Sequence, residues 1–347
     1  MSTSFIRRSE RWTWIHVLAL AFVPWLLTPS ANAQTPSETA SIAGLEAKFV
    51  DVQGVTTRYY EEGQGEPLLL VHGGGLGGGN ANSANMWSRN IPGLAERFHV
   101  FAVDKLAAGM TGNPLDDKDY NIQGEVAHMY QFIQTMELGP VHLVGQSRGA
   151  GLVLVLAMQH PEVVKTLVLV NSGTASPVTS PGTRASMMEP CAEGDRSWKM
   201  RCEMEVLTYA PNFAGTWDEE YYAAGEYMSG QPKWQEAQAK IADGAGQPMR
   251  SEWNVWKKRL HERLRAEEVL PMPVLLYWSK NDPQGIVDRG VALHDILAVQ
   301  HPNVWLVLIN KAGHFHFREY PEQFNHNVMS FIDYWNSQPT AMTSNIQ

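Results

Sequence analysis

VHLVGQSRGAGLVLVLAMQH, residues 141–160, decides how the rest of the chain is read. Val141–Val144 is an apolar, strand-like run. Arg148–His160 has a helical pattern and stops before Pro161, which cannot continue a helical hydrogen-bond ladder. Between them stands Gly145-Gln146-Ser147-Arg148-Gly149. A serine hydroxyl is a weak nucleophile at neutral pH; it needs an adjacent base and an exposed position. A tight strand-to-helix turn supplies the exposure, and flanking glycines leave room for crowded backbone. The five-residue pattern alone is a weak signal, and its competing reading is an ordinary β-to-α turn. With the strand before it and the helix after it, Ser147 becomes the candidate nucleophile.

Upstream, the buried-strand run Leu68–Val71 leads into His72-Gly73-Gly74-Gly75. A tetrahedral intermediate develops charge on oxygen and needs preorganised backbone donors. Gly74 is the expected loop donor. The N–H of Arg148, at a helix N-terminus that favours negative charge, is the expected second. Gly73–Gly78 also fits G-x-G-x-x-G, but no helix follows at once and no Walker lysine is present, so nucleotide binding is disfavoured. His72 reads as a strand-end residue and Asp104 as an anchor for the following turn. The Arg148 side chain is expected either to meet an anionic substrate group or to pair with a local carboxylate.

Downstream, an acid and then a base must follow the serine. Asp282 lies in Lys280-Asn281-Asp282-Pro283, just past a strand ending at Trp278; the bland alternative is a turn former. Asp288 is its rival, close to the next helix. His314, in Ala312-Gly313-His314-Phe315, stands where an imidazole could take the serine proton and return it to the leaving group. His316 is the rival there, and its expected place is the pocket lining or the solvent.

The same alternation extends along the chain. Strands are expected at 48–52, 56–61, 68–71, 100–104, 141–144, 166–170, 274–278 and 304–309. Helices are expected at 122–136, 148–160, 289–298 and 322–336. Runs such as Leu167–Val170, apolar without alternation, suit strands buried on both faces. The fold class is therefore α/β, an eight-stranded and mostly parallel sheet with helices on both faces. The rhythm breaks at residues 174–268, which hold five of the twelve Trp, both Cys and no convincing strand. This segment is expected to be a helical cap between the sixth and seventh strands, separating core segments 34–173 and 269–347. Its Trp and Met residues are expected mostly in the core, with some lining a pocket.

Residues 1–33 read differently. Arg7, Arg8 and Arg11 precede an apolar stretch from Trp12 to Leu27, and Ala31-Asn32-Ala33 precedes Gln34. That is the pattern of a cleaved secretory signal peptide. The apolar stretch falls short of the ~20 residues that span a bilayer, so no stable membrane anchor is expected after cleavage. The destination is periplasmic or secreted. In an oxidising compartment Cys191 and Cys202 are a disulfide pair, worth about 3 kcal/mol on a chain-entropy model. A formal charge of -9 without blocks of like charge lacks the basic footprint of a nucleic-acid binder. No metal-ligand spacing stands out, and no cofactor is expected. The expected partner is a small-molecule ester or acyl substrate; oligomeric state is not legible.

The stretches LLLVHGGGLGGG, HVFAVDKLAAGMTGNP, VHLVGQSRGAGLVLVLAMQHPEVVKTLVLVNS, PVLLYWSKNDP and NKAGHFHFREYPEQF together resemble the α/β-hydrolase superfamily. They cover most of residues 48–173 and 269–336. Within the superfamily, the HGGG loop and the DKLAAGMT segment resemble the meta-cleavage-product hydrolases, which split C–C bonds. The resemblance implies a triad of Ser147, Asp282 and His314. The expected function is hydrolysis of a carboxylic ester or related acyl compound through an acyl-enzyme. The alternatives are a C–C hydrolase, an acyltransferase or perhydrolase, and a binding protein on the same scaffold.

Overall fold

Eight strands form one sheet in the order β1-β2-β4-β3-β5-β6-β7-β8. They are β1 (Ala47–Val52), β2 (Val55–Glu62), β3 (Pro67–Val71), β4 (His99–Val103), β5 (Val141–Gln146), β6 (Val164–Val170), β7 (Val274–Ser279) and β8 (Val304–Ile309). β2 runs antiparallel to β1 and β4, and every other pairing is parallel. All eight expected strands are present, each within two residues of its expected bounds at either end. The computed structural model describes residues 40–42, 44–77, 82–177, 187–267 and 269–338. All of them belong to one compact unit, Pro36–Gln347. The expected signal peptide, residues 1–33, lies outside the described residues. Among those described, no helix is long and apolar enough to cross a membrane.

The two-residue side-chain period of a strand divides the core in two. Leu69, Val71, Leu143, Leu167, Leu169, Leu276 and Trp278 face one side, against Val126, Met129, Phe132, Leu152 and Leu293. Leu68, Leu70, Val144, Val168, Val170, Leu275 and Tyr277 face the other, against Trp87, Phe317, Phe324 and Phe331. This is why the strand runs are apolar at every position. The longer helices are α1 (Ile122–Thr135), α2 (Arg148–Gln159), α3 (Arg196–Leu207), α4 (Glu219–Ser229), α5 (Pro232–Ala242), α6 (Trp253–Ala266), α7 (Val287–Leu297) and α8 (Pro321–Asn336).

Helices α3 to α6 occupy the segment between β6 and β7, and among its described residues there is no strand. Asp195 and Asp218 cap α3 and α4 by accepting from Trp198 N and Tyr221 N, each supplying an acceptor for an otherwise orphaned N–H. Cys191 and Cys202 form a disulfide that ties the lead-in of α3 to its middle. The segment packs on the core at a specific place. The N–H of His314 donates to Leu207 O at 2.7 Å, and a Cβ on Gly313 would lie 2.5 Å from that same oxygen. Only glycine admits so close an approach.

Candidate active site

Ser147 ends β5 and opens α2 with φ 54° and ψ -120°. For a residue other than glycine this is a strained conformation, costing on the order of 1–3 kcal/mol, and the surroundings must enforce it. They do so sterically. A Cβ on Gly145 would lie 2.6 Å from Gly149 O, and one on Gly149 would lie 2.4 Å from His72 O. Both flanking glycines are thus demanded by backbone approaching backbone. Ser147 N–H donates to Val170 O at 2.9 Å, and Ser172 Oγ donates to Ser147 O.

Asp282 follows β7, and its two oxygens do different work. Oδ1 accepts from Gln284 N at 2.7 Å and Gly285 N at 2.8 Å, which builds the turn. Oδ2 pairs with His314 Nδ1 at 2.7 Å. One oxygen thus builds the turn and the other meets the imidazole, so the turn-former geometry and the expected partnership with His314 coexist in one carboxylate. Asp288 instead lies in the first turn of α7. With Nδ1 bound to the carboxylate, the other ring nitrogen of His314, Nε2, takes no part in that pair. Two amides hold its loop to the strand ends. Gln146 Nε2, next to the serine, donates to His314 O at 3.3 Å. Asn171 Nδ2, at the end of β6, donates to Gly313 O at 3.1 Å and His314 O at 3.3 Å. The three sequence-derived residues therefore sit just past the C-terminal ends of β5, β7 and β8, the edge where open α/β sheets bind ligands.

His316 departs from expectation. It does not meet solvent: it is buried and stacks on Tyr277 at 4.6 Å. Its Nδ1 lies 2.8 Å from Ser279 Oγ. Burial pushes its pKa down to about 3, so it is a neutral core histidine.

The glycine loop after β3 lies against Ser147, since a Cβ on Gly73 would stand 2.9 Å from Ser147 Cβ. Its peptides are held from behind. The backbone N–H of Lys105 donates to His72 Nε2 at 3.1 Å. That ring nitrogen is therefore an acceptor, and Nδ1 carries the proton it gives to Gly73 O at 2.8 Å. Carbonyl and N–H point opposite ways across a trans peptide, so the N–H of Gly74 is aimed away from His72. Burial, and next the Lys105 ammonium, push His72 down to about 3, which keeps the ring neutral. His72 is thus more than a strand-end residue.

Sequence reasoning missed Lys105 and Glu125. Lys105 Nζ donates to Gly74 O at 2.5 Å and pairs with Glu125 Oε1 at 3.1 Å. Arg148 grips the other oxygen of Glu125, through Nε at 3.1 Å and Nη2 at 3.0 Å. The local-carboxylate reading of Arg148 is the observed one. Burial alone would raise the Glu125 carboxyl; Arg148 and Lys105 overcome it and hold it below its ordinary value. No local sequence pattern marks this trio, because its members come from the loop after β4, from α1 and from α2. Beside it opens a cleft of about 260 Å³ lined by Gly75, Leu76, Tyr120, Arg148, Arg250 and Trp253, among others. Among the described residues, no cluster of three or more His, Cys, Asp or Glu is placed to hold a metal ion.

The family model for the alpha/beta hydrolase fold matches residues 66–319. One relative is a 2-hydroxy-6-oxo-6-(2'-aminophenyl)hexa-2,4-dienoic acid hydrolase from Metapseudomonas resinovorans. It is 39% identical over 142 residues, covering 41% of this chain and 47% of that protein. A 2-hydroxymuconate semialdehyde hydrolase from Pseudomonas sp. strain CF600 is 36% identical over 127 residues, covering 36% of this chain and 44% of that protein. The chain thus spans about half the length of the curated relatives it matches. Among solved structures, a meta-cleavage product hydrolase from Pseudomonas fluorescens IP01 superposes with a TM-score of 0.66 at 23% identity, covering 83% of this chain and 97% of that one. That likeness is one of fold.

Proposed function

Because this chain belongs to the alpha/beta hydrolase fold family, we propose that it is a serine hydrolase that cleaves a carboxylic ester or related acyl bond. The observation that carries this reading is the 2.7 Å pair of His314 Nδ1 with Asp282 Oδ2, on the sheet edge that also bears the strained Ser147. In this mechanism Ser147 Oγ attacks the carbonyl carbon and its proton passes to His314 Nε2. Asp282 holds the tautomer and stabilises the imidazolium. The oxyanion is held by main-chain N–H groups of Gly74, in the glycine loop, and of Arg148, in the first turn of α2 where an N–H has no partner in the helix's own ladder. His314 returns the proton to the leaving group, and water frees the acyl-enzyme by the same steps in reverse order.

A second reading is C–C hydrolysis of a vinylogous diketone, favoured by the names of the two curated relatives. The same residues serve it, and the arginines of the neighbouring cleft suit an acidic substrate. Covalent labelling with a fluorophosphonate probe tests the shared chemistry: wild type is expected to label and Ser147→Ala to stay unlabelled. Failure of the folded wild type to label would remove both readings. Turnover of nitrophenyl esters against a ring-fission dienoate then separates them. Export is supported by the leader-like residues 1–33 and suits the Cys191–Cys202 bridge. N-terminal sequencing of the processed protein is expected to start at Gln34, and an intact Met1 would refute cleavage.

A further inference from the structure

The trio Lys105–Glu125–Arg148 is an expensive thing to bury. The side chains of Lys105 and Glu125 have no solvent exposure, and the effective desolvation cost is several kcal/mol per ion. An apolar side chain of similar length would fill the Lys105 site at less cost if packing were its whole task. The trio also carries two positive charges against one negative, so it leaves a net positive charge behind the glycine loop. Its two ends meet the two strands of backbone expected to hold the oxyanion. Lys105 Nζ fixes Gly74 O at 2.5 Å, and Arg148 is the residue that follows Ser147. Glu125 joins them.

We propose that Lys105 is a positioning residue for the oxyanion loop, acting through the Gly74 carbonyl and tied by Glu125 to the first turn of α2. The reasoning rests on the serine-hydrolase reading above. With Gly74 O drawn toward the ammonium, the Gly74–Gly75 peptide has one orientation, and its N–H end points away from the ion cluster. Among the described residues a Cβ on Gly75 would meet nothing within 4 Å, and Gly75 borders the cleft, so on that side the peptide has room to turn and the Lys105 contact opposes it. The net positive charge further favours negative charge developing on a substrate oxygen, in a setting where little water screens it. His72 sets the peptide before Gly74 and Lys105 the peptide after it, so consecutive peptides of one loop are aimed by two buried side chains.

The test is Lys105→Met, assayed on 4-nitrophenyl butyrate and on inhibition by an aryl trifluoromethyl ketone. Ser147 Oγ adds to the ketone carbon, its proton passes to His314, and the carbonyl oxygen becomes an oxyanion. Loss of positioning should lower kcat by about 10–100-fold, short of the roughly 100–1000-fold that removing one oxyanion donor costs. KM should stay within about 2-fold, and ketone affinity should weaken in step with kcat. Glu125→Gln, which keeps the shape but not the charge, should show the same pattern more weakly. It decides the matter if Lys105→Met does not accumulate as folded protein. Wild-type kcat and ketone affinity in the variant would overturn the proposal, as would a loss confined to KM or thermal stability. Labelling wild type at Ser147 beforehand keeps the two readings apart. An unlabelled wild type defeats the serine-hydrolase reading, whereas a labelled wild type with an indifferent Lys105→Met defeats only the role of Lys105.

Discussion

Asp104 and Lys105 are neighbours in the chain, both buried just past β4, yet they end in different ion clusters. Asp104 pairs with Arg58 at 3.0 Å and accepts from Ala84 N at 2.6 Å and Met110 N at 2.7 Å. Arg58 reaches on to Ala40 O, Tyr60 and Asn85. That cluster is charge-balanced, and its contacts join β2, β4 and the turns beside them. The Lys105 cluster is unbalanced, and its contacts run to the glycine loop and to Arg148, the residue after the proposed nucleophile. A buried pair whose charges cancel and whose partners are scaffold is there to fix structure. A buried excess of charge aimed at a reacting position asks for a chemical reason.

The sharpest break of this comparison separates chemistry from both clusters. Ser147→Ala should lower kcat by about 10⁴-fold or more, with a urea unfolding midpoint close to wild type; substantial remaining turnover would move the nucleophile elsewhere. Next, Arg58→Met leaves the Asp104 charge buried without its partner and should destabilise by about 3–5 kcal/mol. Denaturant unfolding measures it, and turnover per folded molecule should hold. Lys105→Met should show the reverse pattern, with a larger change in kcat than in the unfolding midpoint. If the two variants behave alike, the distinction between the clusters fails.

The smallest effect concerns neutral groups packed beside the charged ones. Burial depresses His72 and His316 to about 3 and His128 to about 4, against about 6.5 in an unfolded chain. Between about pH 6.5 and 4 the unfolded chain takes up protons that the folded one refuses. Stability should therefore fall as pH falls, by about 1.4 kcal/mol per pH unit for each histidine. Unfolding at pH 7, 6 and 5 measures the slope. His128→Gln should flatten it by one such increment, and an unchanged slope would mean that His128 titrates normally.

Much of the site was legible because its signals are local. Gly145 to Gly149 encode a turn whose crowding only glycine relieves, and the strand before it and helix after it are written in adjacent residues. Asp282 and His314 were found by chain order and by their place after apolar strands. The error at His316 came from the same locality: two residues separate it from His314, and nothing in AGHFHF says which ring turns inward. Tyr277 and Ser279 decide that, and both come from β7.

The amino-acid sequence alone determined the eight strands, their mostly parallel sheet and the tight turn at Ser147, and it singled out Asp282 and His314 as the expected partners of that serine. Periodicity, glycine sterics and proline breaks act over a few residues and leave their record there. Tertiary structure alone decided which charges meet beneath the glycine loop. Lys105, Glu125 and Arg148 are separated by 20 and 23 positions, and ion pairing depends on distance in space, to which spacing along the chain gives no guide once α1 and α2 have packed on the sheet.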